Sequence, residues 1–203
     1  RNTLAMDLTV QAASGIMSMT GYPDLPPVRG GVTIVDFMGG IHLYAAIVTA
    51  LHDRSHTGRG QRVEVAMQEA VYFTLASGLD YLTRTGKSPT RAGNRQSAGS
   101  VSPYNVYKTK DGYVAIHTST EQHWLNILAA AGRDEVKDDP RFRTNHDRCA
   151  HAEEVDAIVS AWTETVTKAE ALAAARKYRI PLAPVRDVSE VMQDPHMHER
   201  GEL

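Results

Sequence analysis

Val32-Thr33-Ile34-Val35-Asp36-Phe37-Met38-Gly39-Gly40 is the stretch on which the reading of this chain turns. A single carboxylate, Asp36, stands between an apolar run and a pair of glycines, directly before a long amphipathic helix. In that helix, counted from Ile41, Tyr44, Ala45, Val48 and Leu51 recur at helical spacing. A carboxylate beside a helix start lies close to backbone N–H groups that have no partner inside the helix. Two readings follow. Asp36 is either an N-cap, a common duty of aspartate, or a nucleophile or base at a site where Gly39 and Gly40 let a ligand approach the backbone.

Working outward, Thr57-Gly58-Arg59-Gly60 reads as the turn that ends this helix. Arg62–Met67 alternates polar and apolar residues as a strand does, and Val71, Leu75, Leu79 and Leu82 mark a further helix. Upstream, residues 8–19 read as one helix with Leu8, Ala12, Ile16 and Met19 on its apolar stripe. Pro23, Pro26 and Pro27 then force an extended loop.

Between Thr85 and Pro103 the composition turns to Gly, Ser, Asn and Pro, which marks a linker. Beyond it, Tyr104–Lys108 and Tyr113–Thr118 read as a hairpin closed at Asp111-Gly112. A helix from Ser119 or Thr120 to the residue before Gly132 turns Trp124, Leu125 and Leu128 inward. Helices near 151–166 and 168–178 follow, the second opening on the capping pair Thr167 and Glu170. Ile180–Val185 reads as a short buried extended segment, and Val188, Val191 and Met192 as a last helical turn or two.

Composition narrows the function classes. The chain has 203 residues, a formal net charge of -2 and 23% charged residues, an ordinary globular balance. No cluster of Lys and Arg suggests nucleic acid as a partner. No uninterrupted apolar run approaches the roughly 20 residues that span a bilayer, so no membrane partner is expected. Arg1-Asn2-Thr3-Leu4 does not resemble the start of a signal peptide. The lone Cys149 suits a reducing compartment, and the expectation is a cytoplasmic protein. The start at Arg1 and the stop at Leu203 suggest a piece of a longer protein.

Several motifs fail on inspection. His52 and His56 have the i, i+4 spacing of metal ligands but sit at a helix end, where histidine complements the helix dipole. Gly58-Arg59-Gly60 follows a helix and precedes a strand, the reverse of a dinucleotide loop. Cys149 has no motif around it, and no Gly-x-Ser-x-Gly elbow exists. No metal site is expected.

The remaining motifs, taken in order, carry a resemblance. Asp7-Leu8-Thr9-Val10-Gln11-Ala12, Gly15-Ile16-Met17-Ser18-Met19-Thr20-Gly21, Val35-Asp36-Phe37-Met38-Gly39-Gly40, Thr57-Gly58-Arg59-Gly60-Gln61 and Ala66-Met67-Gln68-Glu69-Ala70 resemble the family III CoA-transferases. Gly93-Asn94-Arg95, Pro103-Tyr104, Lys110-Asp111-Gly112-Tyr113 and Ile180–Val185 match in the same order. The family includes formyl-CoA:oxalate and carnitine CoA-transferases, with the 2-methylacyl-CoA racemases as a branch.

The resemblance implies an α/β protein of two domains, of which this chain is the middle. Residues 1–85 would belong to a large Rossmann-like CoA-binding domain, 86–103 to a linker, 104–186 to a small α+β domain and 187–203 to a return linker. It implies an interlocked homodimer, acyl-CoA and carboxylic acids as substrates, and no tightly bound cofactor. Asp36 falls on the family's nucleophile, which passes through aspartyl-anhydride and aspartyl-CoA thioester intermediates. Leu4, Ala5 and Met6 align with a stretch that lines coenzyme A. The racemase branch has histidine where Met6 stands, and methionine cannot exchange a proton, which favours transfer over racemisation. In oxalate-type enzymes a glycine loop shields the intermediates; here that stretch reads Gln96-Ser97-Ala98-Gly99-Ser100. A racemase of the same fold and a non-catalytic subunit, in which Asp36 only caps a helix, stay open as alternatives.

Overall fold

The computed structural model describes residues 4–202. The first three residues of the expected large-domain part, and Leu203, lie outside that range. The chain divides into two units, Arg1–Gly93 and Asn94–Leu203.

In the first unit, α1 (Asp7–Ala13), α2 (Ile16–Met19), α3 (Ile34–Thr57), α4 (Met67–Tyr72) and α5 (Ala76–Thr85) are joined by loops. The single helix expected over 8–19 is two, because Gly15 takes a φ of 96° and breaks the run. Its buried face also differs from the expected stripe. Val10 and Gln11 are buried while Leu8 is 53% exposed. The long helix starts at Ile34, not near Ile41, so the apolar run before Asp36 feeds directly into it. Gly58 ends it in the left-handed conformation, as the turn signal implies. Val10, Val35 and Val71 form a small core, with Ile34, Met38 and Met67 packed against it.

The strand expected over Arg62–Met67 does not form. Its residues alternate between exposed and partly buried, as a strand's would. Among the described residues, however, no neighbouring strand bonds to it, and a ladder needs two sides. Downstream, a 3-10 turn at Phe73–Leu75 separates α4 from α5, where the apolar spacing predicts one helix.

α3 is 24 residues long and apolar enough to cross a bilayer by length and composition alone. The criterion of an uninterrupted apolar run does not register this helix. Asp36, Gly39, Gly40 and His42 interrupt the apolar residues, so no unbroken run announces the helix.

The second unit holds a three-stranded antiparallel sheet in the order β1 (Tyr104–Thr109), β2 (Gly112–His117), β3 (Leu182–Pro184). Thr109 pairs with Gly112, so Lys110 and Asp111 form the hairpin loop, one residue earlier than expected. Tyr107 pairs with Val114 and both face the core. α6 (Glu121–Ala131), α7 (Asn145–Ala150), α8 (Ala152–Thr163) and α9 (Lys168–Tyr178) surround a core containing Trp124, Ile127, Leu128, Val155, Val159 and Ala171. Leu125, expected inside, is 39% exposed; Ile127 takes the inward position. α8 stops at Thr163, short of the expected 166. Ile180 is buried but Val185 is 46% exposed, so only the start of that expected buried segment is enclosed.

The caps follow the sequence closely. Thr120 accepts from the His123 amide, and Gly132 closes α6 with a φ of 66°. Thr167 and Glu170 form the anticipated reciprocal cap on α9, with the Thr167 amide 2.7 Å from Glu170 Oε2. A second such pair, Thr144 and Asp147, starts α7, an element the sequence reading does not anticipate. α10 (Val188–Met192) and α11 (Pro195–Glu199) complete the unit. The fold is thus mixed, helices with a small antiparallel sheet.

Candidate active site

Asp36 lies in the first turn of α3, three residues after the N-cap position at Thr33. It is not the cap. The amide that a capping side chain would take, that of Val35, donates instead to Asp7 Oδ1 at 2.9 Å. Among the described residues the Asp36 carboxylate has no hydrogen-bond partner, and it is exposed. It lies in the first turn of a 24-residue helix.

The surroundings are apolar. Asp36, Phe37, Gly40, Ile41 and Tyr44 line a shallow trough of ≈ 350 Å³ along one face of α3. Phe37 is 73% exposed and Tyr44 71%. An exposed carboxylate at the end of an uncovered apolar trough can meet a ligand whose body is apolar and whose reacting atom is electrophilic.

The two glycines after Asp36 have different reasons. Gly39 is buried, and a Cβ there would come within 3.3 Å of Met67 Cγ, so it permits close packing of α3 on α4. A Cβ on Gly40 would meet nothing within 4 Å; it opens the trough. Only Gly40 fits the expectation of space left for a ligand.

The segment before α3 is held from α1. Asp7 Oδ1 takes the Val35 amide, while Asp7 Oδ2 accepts from Gln11 Nε2 at 2.7 Å. Gln11, wholly buried, also accepts from the Gly30 amide at 2.9 Å. The sequence reading does not single these residues out. The available signal is the Asp/Gln pair at i, i+4 on α1, whose side chains meet on one helix face.

Leu4, Ala5 and Met6 are exposed, Leu4 at 89% and Met6 at 69%. None of them lines the Asp36 trough. They immediately precede Asp7, which is bonded one residue from Asp36. The His52 and His56 rings lie 4.6 Å apart at the exposed end of α3. No group of three or more metal-ligating side chains occurs among the described residues. Cys149 is partly buried, and desolvation pushes its thiol above the ordinary range.

The fold is mixed, helices with a small antiparallel sheet, and it carries an exposed carboxylate in the first turn of its longest helix. The comparisons supply its class: the profile of CoA-transferase family III matches residues 1–203, and the chain belongs to that family. The acetyl-CoA:oxalate CoA-transferase of Acetobacter aceti is 34% identical over 203 residues, 98% of this chain and 51% of that protein. The succinate–glutarate CoA-transferase of Agrobacterium fabrum is 33% identical over 96% of this chain and 48% of that protein. A CAIB/BAIF family protein from Brucella suis superposes with a TM-score of 0.79 at 31% identity, covering 97% of this chain and 52% of that one. The chain thus spans about half the length of the relatives it matches.

Proposed function

We propose that this chain carries the nucleophile of a CoA-transferase that moves coenzyme A between carboxylic acids, with Asp36 as the attacking group. One observation carries the assignment to Asp36. Its carboxylate is exposed at a helix start with no side-chain hydrogen bond among the described residues, while another acid, Asp7, does the capping. A purely structural acid at this third helical position would reach back to the Thr33 amide, a bond Asp36 does not make among the described residues.

The chemistry then runs in four balanced exchanges. The Asp36 carboxylate attacks the donor thioester carbonyl, forming a mixed anhydride and expelling the coenzyme thiolate. The thiolate attacks the Asp36 carbonyl, releasing the donor acid and leaving an aspartyl-CoA thioester. The acceptor carboxylate attacks that thioester, giving a second anhydride and free thiolate. Finally the thiolate takes the acceptor acyl group and regenerates Asp36. Covalent catalysis divides one difficult exchange into easier ones. No tightly bound cofactor is required.

Acyl-CoA and free acids are the proposed substrates, and Leu4–Met6 the proposed coenzyme-lining stretch. A Rossmann-like large domain, an interlocked homodimer and a cytoplasmic setting belong to the same proposal. Methionine at position 6 argues against a racemase, which needs two proton-exchanging groups about the α-carbon. The test is to incubate the full chain with an acyl-CoA, treat with hydroxylamine and map the modified residue by mass spectrometry. A hydroxamate at Asp36 supports the reading; turnover with no modified carboxylate sinks it.

A further inference from the structure

Gln11 is polar, 0% exposed and hydrogen-bonded at both ends of its side-chain amide, an unusual investment on a seven-residue helix. Its amide orientation follows from those partners. The Gly30 N–H can only donate, so Oε1 faces it at 2.9 Å. Nε2 then faces two acceptors, Asp7 Oδ2 at 2.7 Å and the Val32 carbonyl at 3.4 Å. The second Asp7 oxygen holds the Val35 amide at 2.9 Å. One buried side chain therefore ties together three points of the segment that leads into α3, at Gly30, at Val32 and, through Asp7, at Val35. Asp36 is the next residue.

We propose that Gln11 is a positioning residue for Asp36, acting through Asp7 and the Gly30–Val35 segment to fix where α3 begins. The inference rests on Asp36 being the nucleophile. Gln11 touches no substrate in this scheme. Its amide gives Asp7 the geometry to take over the capping bond, which leaves the Asp36 carboxylate unbonded and aimed into its trough. A slip of the helix start by a fraction of a turn would move that carboxylate by an ångström or more. Misplacement of that order costs about a hundredfold in rate.

The same logic names a rescue. In Q11E the Nε2 donor becomes an oxygen facing the Asp7 carboxylate, and two acceptors then repel. Adding D7N restores a donor between the two side chains. In D7N/Q11E the side chain at position 7 can still accept from the Val35 amide, and the side chain at position 11 can still accept from the Gly30 amide.

The experiment compares wild type, Q11E, D7N/Q11E and D36N in the full chain, assaying CoA transfer with an acyl-CoA donor and hydroxylamine trapping. The folded fraction of each variant is measured at the assay temperature. The expected result is a kcat for Q11E lower by about tenfold to a hundredfold, with the KM for acyl-CoA little changed. D7N/Q11E should regain most of that loss, and trapped adduct should fall and recover in step. A merely structural role would lower active enzyme in proportion to folded fraction, leaving kcat per folded molecule unchanged, and that result overturns the proposal. So does a dead D36N beside a Q11E at the wild-type rate. Retained turnover in D36N is a different failure, that of the nucleophile assignment itself.

Discussion

The amide of Val35 donates to Asp7 Oδ1 at 2.9 Å, so the carboxylate that secures the start of α3 is 28 positions away from it in sequence, while Asp36 next door makes no such bond. The two acids have divided one job. Asp7 satisfies the helix, which leaves Asp36 free for the nucleophilic role proposed for it.

Replacing Asp36 by Ala should separate activity from stability. CoA transfer should fall by at least about a thousandfold, as for other lost nucleophiles. Stability should drop by no more than about 1 kcal/mol, the value of a negative charge in a helix's first turn. Initial-rate assays and urea titration check the two halves. A D36A variant that turns over normally removes Asp36 from the mechanism.

Loss of Asp7 should cost stability as well as rate. Removing its side chain strips the α3 cap, worth about 1–2 kcal/mol, and leaves the buried Nε2 of Gln11 with only the longer 3.4 Å contact to Val32. D7A should therefore destabilise more than D36A. Denaturant midpoints of the two variants, measured side by side, decide it.

How far the sequence disclosed this arrangement depends on how local each signal is. The caps at Thr120, Thr167, Gly58 and Gly132 were legible because each involves residues within one or two turns. The hairpin was legible to within one residue for the same reason. Asp36 stood out by its neighbours, but its freedom from capping did not, because the competing acid approaches from α1. Arg62–Met67 misled, since alternation reports a half-buried extended segment and says nothing about a pairing partner. Gly39 misled too: its reason is the approach of Met67, a contact that only tertiary structure creates.

In the second unit, Arg148 is 1% exposed, a residue type that is almost never fully buried without partners. Its guanidinium donates to the Ser102 carbonyl at 2.9 Å, the Phe142 carbonyl at 3.0 Å and Glu121 Oε2 at 2.7 Å, and it lies over the Trp124 ring. R148M should leave two carbonyls unpaired and cost about 3 kcal/mol. E121Q should cost less, since Glu121 is half exposed and the carbonyl bonds survive. Thermal melting of both variants tests the ranking; equal losses would contradict it.

Asp156 on α8 gathers three donors. Tyr107 Oη lies 2.5 Å away, Asn105 Nδ2 2.9 Å and the Arg95 guanidinium 2.7 Å. Burial, then the Asp156 charge, pushes the Tyr107 hydroxyl well above the ordinary tyrosine range. A raised folded value means the neutral phenol is favoured in the native state. Its contribution is complete below about pH 10, the ordinary tyrosine value, and declines as the unfolded chain's tyrosine ionises above it. Y107F should lose about 1.5–3 kcal/mol at pH 7 for a bond to a charged acceptor. It should also flatten the fall in stability above pH 10 relative to wild type. Parallel alkaline slopes for the two proteins would refute this.

At the acid end the sign reverses. Hydrogen bonds at the capping pairs hold Asp147, Glu170 and Asp187 below the usual carboxylate range, the first through Thr144, the second through Thr167 and the third chiefly through Ser189. The Lys168 ammonium does the same for Glu190, and the Arg186 guanidinium for Asp194. A lowered folded value favours the ionised form in the native state. The contribution is therefore complete above about pH 4–5 and is lost as pH falls through the carboxylate range. All five residues start or brace helices of the second unit. Melting temperature followed from pH 6 to pH 2.5 should fall below about pH 4, with helix signal in that unit lost first at α10 and α11, where three of the five cluster. T167A should blunt the fall by removing one of the bonds that lowers Glu170, and an unchanged acid limb in T167A would show that the caps are not its source.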